Sequence, residues 1–222
     1  MQYAKSGSWR FAQSAGDQMP HAALFVRDAL ALSVPSEPTV PPRLSGVVPD
    51  HRARWSDADR GEAGEQWVSW WDALLGLETR RQAEPPPGGH RARSRALRAG
   101  LEQVGAPPDF ASLADRPALR RAVVGTFDEA LRWVNELHHD EEYRPDERGF
   151  PYELVRRVAE DVGFDRSAPA ERVRRTALVL AVEGEWWHLS APGVVVCSLA
   201  AAEDLRTGHR VLRQVFESAL QG

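Results

Sequence analysis

Cysteine and lysine are almost absent from this sequence. Its one cysteine, Cys197, excludes an internal disulfide and cannot form a metal-binding cage by itself. Because Cys197 ends the apolar run 194–197, we expect a small buried side chain there and not a reactive thiol. All but one of the 28 basic residues are arginine, as is typical of a GC-rich bacterial gene. Arginine content alone therefore does not predict phosphate binding.

Long apolar runs and an excess of positive charge are missing as well. No stretch reaches the ~20 consecutive apolar residues of a transmembrane helix, and the first residues lack the basic and apolar regions of a secretory signal. The formal net charge of −4 at pH 7 gives no general attraction to nucleic acids or anionic membranes. We therefore expect a cytoplasmic protein that binds neither specific nucleic acid nor membranes.

Sequence motifs that specify a catalytic activity are also missing. There is no Gly-x-Ser-x-Gly nucleophile elbow. The glycine pair Gly88-Gly89 fits neither a Walker loop nor a dinucleotide-binding fingerprint. We therefore expect no cofactor, although a small-molecule ligand stays compatible with the sequence.

Tryptophan is the residue in excess, with eight against three tyrosines. Four of the eight form adjacent pairs, Trp70-Trp71 and Trp186-Trp187. Neighbours diverge by about 100° on a helix and point to opposite faces on a strand. Each pair therefore indicates either an element that is covered on two sides, or one ring in a core with its neighbour on a partner or ligand. We expect Trp71 to be the inner residue and Trp70 its flank, so the candidate binding residues are Trp70, Trp186 and Trp187.

Apolar spacing of three and four residues predicts helices over most of the chain. The clearest example starts near Pro117, where six apolar positions recur at helical steps. A short helix over 20–32 is predicted less clearly, since the same residues also fit an extended segment. The remaining predicted helices cover residues 61–82, 91–104, 151–162 and 203–220.

Three short apolar runs near the C-terminus predict strands. They cover 177–182, 185–189 and 194–199, and turn residues separate them. We predict a three-stranded antiparallel β-meander with Trp186, Trp187 and His188 on its central strand, followed by the final helix. The fold class is then α+β and mainly α-helical. Residues 1–50 are expected to form an arm with a proline-rich connector packed on a single domain, 51–222.

Two charged segments are candidates for ligand binding. If the helix continues past residue 137, His138 and Glu142 lie one turn apart, a spacing that suits a divalent metal. The alternative is a solvated acidic helix end. Arg91 and Arg93 begin a basic helix whose N-terminus could hold an anion. The alternative there is an arginine-coated surface that pairs with acidic neighbours.

These observations favour a non-catalytic role. The surplus of indoles and a short sheet with two edges predict a protein-binding or scaffold protein, which pairs with another protein or with itself as a homodimer. The alternative, of a different class, is a small-molecule or metal-dependent enzyme built around His138, His139 and Glu142.

Overall fold

A computed structural model describes residues 2–6, 9–14, 18–82, 89–140, 143, 148–166 and 174–220. Internal contacts divide the chain into two compact units. One is the continuous segment 18–136, and the other combines residues 1–17 with 137–222. The described part is mainly helical with one β-sheet, which confirms the coarse fold class. The boundary near residue 50 stays a prediction.

The continuous unit is built from helices that the apolar spacing had located. They are α1 (Gln18–Ala29), α2 (Asp57–Gln82), α3 (Gly89–Val104) and α4 (Pro117–His139, of which residues up to 136 belong here). Segment 20–32, left open by its sequence, is therefore mostly helical. Gly64 lets α2 pass close to the chain before it, because a Cβ at that position would overlap the Ser33 carbonyl.

Three tryptophans of α2 form the centre of this unit. Trp67, Trp70 and Trp71 are all fully buried, and the Trp67 and Trp71 rings stack with centroids 5.3 Å apart. Each indole N–H donates to a different segment: Trp67 to Ala23 O (2.9 Å), Trp70 to Val104 O (2.8 Å) and Trp71 to Thr39 O (3.0 Å). The prediction that Trp70 flanks the core is wrong. Chain segments pack on several sides of α2, so more than one stripe of it is buried.

The proline-rich connector is fixed to α1 by a buried ion pair. The Arg27 guanidinium contacts both Asp28 carboxylate oxygens at 2.7 and 3.0 Å. It also donates to Pro41 O (2.6 Å) and Pro42 O (2.7 Å). Asp28 Oδ2 in turn accepts the backbone N–H of Leu44 at 2.8 Å. Because proline-rich backbone leaves carbonyls without helix or sheet partners, a planar cation with several donors suits this contact.

The second unit contains a mixed five-stranded sheet. Its strands are β1 (Gln2–Ser6), β2 (Trp9–Ser14), β3 (Arg174–Leu180), β4 (Trp187–Ala191) and β5 (Val194–Ser198). They lie in the order β1-β2-β3-β5-β4. β3 runs parallel to both of its neighbours, β2 and β5, while β1 is antiparallel to β2 and β4 is antiparallel to β5. The helices of this unit are α5 (Tyr152–Arg166), α6 (Leu199–Glu203) and α7 (Leu205–Ser218).

The predicted three-stranded antiparallel meander is wrong. The β4–β5 hairpin exists, but β5 lies between β3 and β4 and runs parallel to β3. The connection 181–186 is too long for a tight hairpin turn, and it carries the chain past the end of β5, where Ser198 N–H donates to Trp186 O at 2.8 Å. β4 is consequently an edge strand and not the central one.

One face of the sheet packs against the helices of the same unit. Apolar side chains of β2, β3 and β5 meet those of α5, α6 and α7 in one buried cluster, which includes Phe11, Ala177, Val195, Val158 and Val215. Cys197 lies in this cluster and is fully buried, so its predicted role as a small core residue is confirmed.

Candidate functional site

β4 is one of the two edge strands of the described sheet, the other being β1, and its open side is a candidate surface for another chain. In the described sheet, β4 has a neighbour on one side only. Trp186 and His188 direct their backbone groups toward β5, since Ser198 N–H donates to Trp186 O and His188 pairs with Val196. Alternation along an antiparallel strand then directs the N–H and C=O groups of Trp187 and Leu189 to the open side.

The side chains of β4 are neither buried nor fully exposed. All five are half-buried. Trp187 and Leu189 pack at the margin of the core cluster on the helix face, and His188 and Ser190 point to the opposite face because strand side chains alternate. A bulge interrupts the register between Leu189 and Ala191.

The two adjacent tryptophans at β4 differ less than their sequence suggested. Trp186, just before β4, is also half-buried, and only Trp187 contacts the core cluster. We expected one of the two rings to be a core residue. Trp187 does pack against the core cluster, but its edge position leaves it partly open to solvent, so neither ring is fully buried.

A groove of about 470 Å³ runs beside Leu189, between β4 and α7. Two side-chain contacts hold α7 along the hairpin: Thr207 Oγ1 donates to Glu185 Oε2 (2.7 Å), and Gly193 N–H donates to Ser218 Oγ (3.0 Å). Polar and apolar surfaces contribute to the walls of the groove in similar measure, and its lining residues are Leu189, Arg210, Arg213, Gln214, Glu217 and Ser218.

The two arginines of the groove have different surroundings. Arg213 contacts Asp165 Oδ2 (2.8 Å) and Glu217 Oε1 (3.0 Å). The hydrogen bond with Asp165, together with the nearby Glu217 charge, raises the pKa of Arg213. Arg210 is exposed, and within the described part of the chain its contact is a long one (3.4 Å) to Thr207 Oγ1. Arg210 therefore remains available to a group that enters the groove.

The other predicted binding residues lie elsewhere. Trp70 is a core residue with its indole N–H satisfied, and we no longer consider it for binding. Arg91 and Arg93 lie near the start of α3, but their side chains fall outside the described residues. An anion site at that helix remains a prediction.

The proposed metal residues are only partly described. His138 is half-buried near the end of α4, and its ring lies nearly parallel to that of Tyr143 with centroids 6.3 Å apart. His139 ends the helix, and Glu142 lies outside the described residues. Within the described ranges, no three His, Cys, Asp or Glu side chains group in a way that could hold a metal ion. The metal site at His138 and Glu142 is therefore still a prediction.

The native protein is expected to resist thiol reagents. Burial raises the pKa of Cys197 far above neutrality, and the thiolate is the species that reacts. A chromogenic disulfide reagent should label the folded protein slowly and reach one thiol per chain only after unfolding in guanidinium. Rapid stoichiometric labelling of the folded protein would contradict the buried position of Cys197.

No described helix combines the length and apolar character that crossing a membrane requires. Comparison with protein-family models, with curated proteins and with solved structures finds no match to this chain.

Proposed function

We propose that this chain is a non-catalytic protein-binding protein whose partner adds an extended strand to the open side of β4. The observation that supports the proposal is the combination, on one edge strand, of outward backbone groups and partly exposed apolar side chains. In strand addition of this kind, main-chain hydrogen bonds provide affinity and side-chain pockets provide specificity. Trp187 and Leu189 each have outward backbone groups and a partly exposed apolar side chain.

The composition of β4 agrees with this role. Proteins usually protect an edge strand against pairing with lysines, other charges or prolines. β4 has the sequence Trp-His-Leu-Ser-Ala, which contains no proline, lysine, arginine or carboxylate. The protective features that it does have are its short length and the bulge after Leu189. The groove beside Leu189 gives side chains of an incoming strand a place to pack.

A random peptide library displayed on phage tests the proposal. Selected peptides should bind the wild-type protein and bind the Leu189→Pro variant about tenfold more weakly, because proline removes one outward N–H donor and adds a ring at the edge. Proline is tolerated on the open side of an edge strand. Circular dichroism and thermal melting verify that the variant is folded.

Leu189→Val is the matched control, since it keeps the N–H donor and an apolar side chain. Peptides should bind this variant nearly as well as wild type. Selected peptides that bind Leu189→Pro as tightly as wild type would overturn the proposal.

A further inference from the structure

We propose that the strand that pairs with β4 is β4 of a second copy of this chain, antiparallel to the first about a two-fold axis at His188. The inference rests on the proposed function and names its partner. A two-fold contact requires one surface patch to be complementary to itself. Three features of β4 meet this requirement: its outward backbone groups, its partly exposed apolar side chains and the groove beside Leu189.

The backbone of β4 offers a short regular edge. It extends over residues 187–189 and is bounded by the bulge between Leu189 and Ala191. A two-fold axis at His188 places Trp187 of one copy opposite Leu189 of the other, and the reverse. Each such pair exchanges two N–H···O bonds. The pairing therefore uses every outward donor and acceptor of the regular edge and needs none beyond the bulge. An axis at Leu189 would require Trp187 to pair with Ala191, past the bulge.

The same pairing accounts for the partial exposure of the apolar side chains. Trp187 and Leu189 both lie on the helix face of β4, at the margin of the core cluster. Opposite residues of an antiparallel pair have their Cβ atoms about 5 Å apart. Trp187 of each copy would then cover Leu189 of the other, and the half-exposed apolar surface of both copies would be buried.

The groove beside Leu189 lies where the second copy's indole would enter. It holds about 470 Å³ between β4 and α7. Arg210 lines it and makes no ion pair with a described residue, whereas Arg213 is held by two carboxylates. A guanidinium in this position can lie over an indole face, as Arg27 does over Trp67 with 5.5 Å to the ring centroid. The groove thus provides both an apolar floor and a cation for Trp187 of the second copy.

Cysteine cross-linking tests the register of this pairing. In the proposed arrangement the two His188 residues form a non-hydrogen-bonded pair with Cα atoms about 4.5 Å apart, within disulfide range. The His188→Cys variant should form a covalent dimer under mild oxidation. The matched control is Ser190→Cys, on the same strand and face. Two Ser190 residues would lie four residues apart along the strand, about 13 Å, which is too far for a disulfide. Buried Cys197 should not contribute.

Sedimentation equilibrium gives the second measurement. Wild type should be a dimer at high micromolar concentration, and folded Leu189→Pro should be mainly monomeric. A monomeric wild type would overturn the second copy as partner, and so would equal cross-linking of the His188→Cys and Ser190→Cys variants. Neither result would overturn the proposed function, which the peptide library tests separately. A monomeric protein could still bind a selected peptide as an added strand at β4. If the His188→Cys variant forms the cross-linked dimer and the Leu189→Pro substitution converts the dimer to a monomer, the results support both the second copy as partner and strand addition at β4.

Discussion

Replacing Trp70 by alanine is expected to lower the free energy of unfolding by about 3–5 kcal/mol, the range found for large aromatic residues removed from protein cores. The indole is fully buried in the middle of α2. Its N–H donates to Val104 O at the end of α3, at 2.8 Å. Alanine would leave a large cavity and an unpaired buried carbonyl. Urea denaturation followed by circular dichroism measures the loss.

Two variants separate the causes of this effect. Trp70→Phe keeps much of the apolar volume but leaves the Val104 carbonyl without its donor, so we expect a smaller loss of about 1–3 kcal/mol. Trp186→Ala is the control for a half-buried tryptophan and should cost less than Trp70→Ala. If Trp70→Ala and Trp186→Ala lowered stability equally, the assignment of Trp70 to the core would be incorrect.

Replacing Arg27 by methionine should be about as damaging, lowering the free energy of unfolding by about 3–5 kcal/mol. Methionine retains an apolar stem but has no donors. The Asp28 carboxylate, whose side chain is only 10% exposed, would lose its cation, and the carbonyls of Pro41 and Pro42 would lose their donors. Removing one member of a buried ion pair leaves the other charge uncompensated, and that charge accounts for most of the cost. Denaturant titration measures it.

A double-mutant cycle tests that explanation. Asp28→Asn removes the charge and keeps an oxygen that can accept the Leu44 N–H. In the Arg27→Met background this second change should cost little or restore stability, since no unpaired carboxylate remains. Arg27→Lys should not restore the stability of the wild type, because an ammonium cannot reproduce the planar fork of donors. Strictly additive losses would show that Arg27 and Asp28 are not coupled.

Apolar spacing predicted the helices well because it is a local signal. The repeat after Pro117 corresponds to α4, and the clusters around Trp67 and Trp71 correspond to α2. Spacing did not reveal how many sides of a helix are covered. Trp70 was misplaced for that reason, since its cover comes from α3, whose last residue Val104 is more than thirty positions away along the chain.

Strand pairing was predicted only where the partners are close in sequence. The β4–β5 hairpin follows from the turn at residues 191–193, but nothing local indicates that β3 pairs with β5 on the far side of that hairpin. β1 and β2 have no regular alternation of apolar and polar residues, and β2 obtains its parallel partner from the other end of the chain. The open side of β4 could therefore be recognised only from the order of the strands. The sequence predicted a sheet with two edges but placed Trp186 and Trp187 on its central strand. Only the observed strand order and register locate an edge at residues 187–189.

The pairing of Ser14 with Leu178 sets an order for folding during synthesis. Residues 18–136 form a continuous unit, so its core is complete in the nascent chain as soon as α4 has left the ribosome. β2 is made earlier than this unit, yet it has no parallel neighbour until β3 is synthesised. Throughout that interval the N-terminal hairpin presents an unpaired strand edge, the type of surface that associates wrongly when other nascent chains are near. The β1–β2 hairpin, although it is made first, is thus among the last segments to reach its final place. The rate of elongation through residues 137–180 determines how long β2 remains without its parallel neighbour.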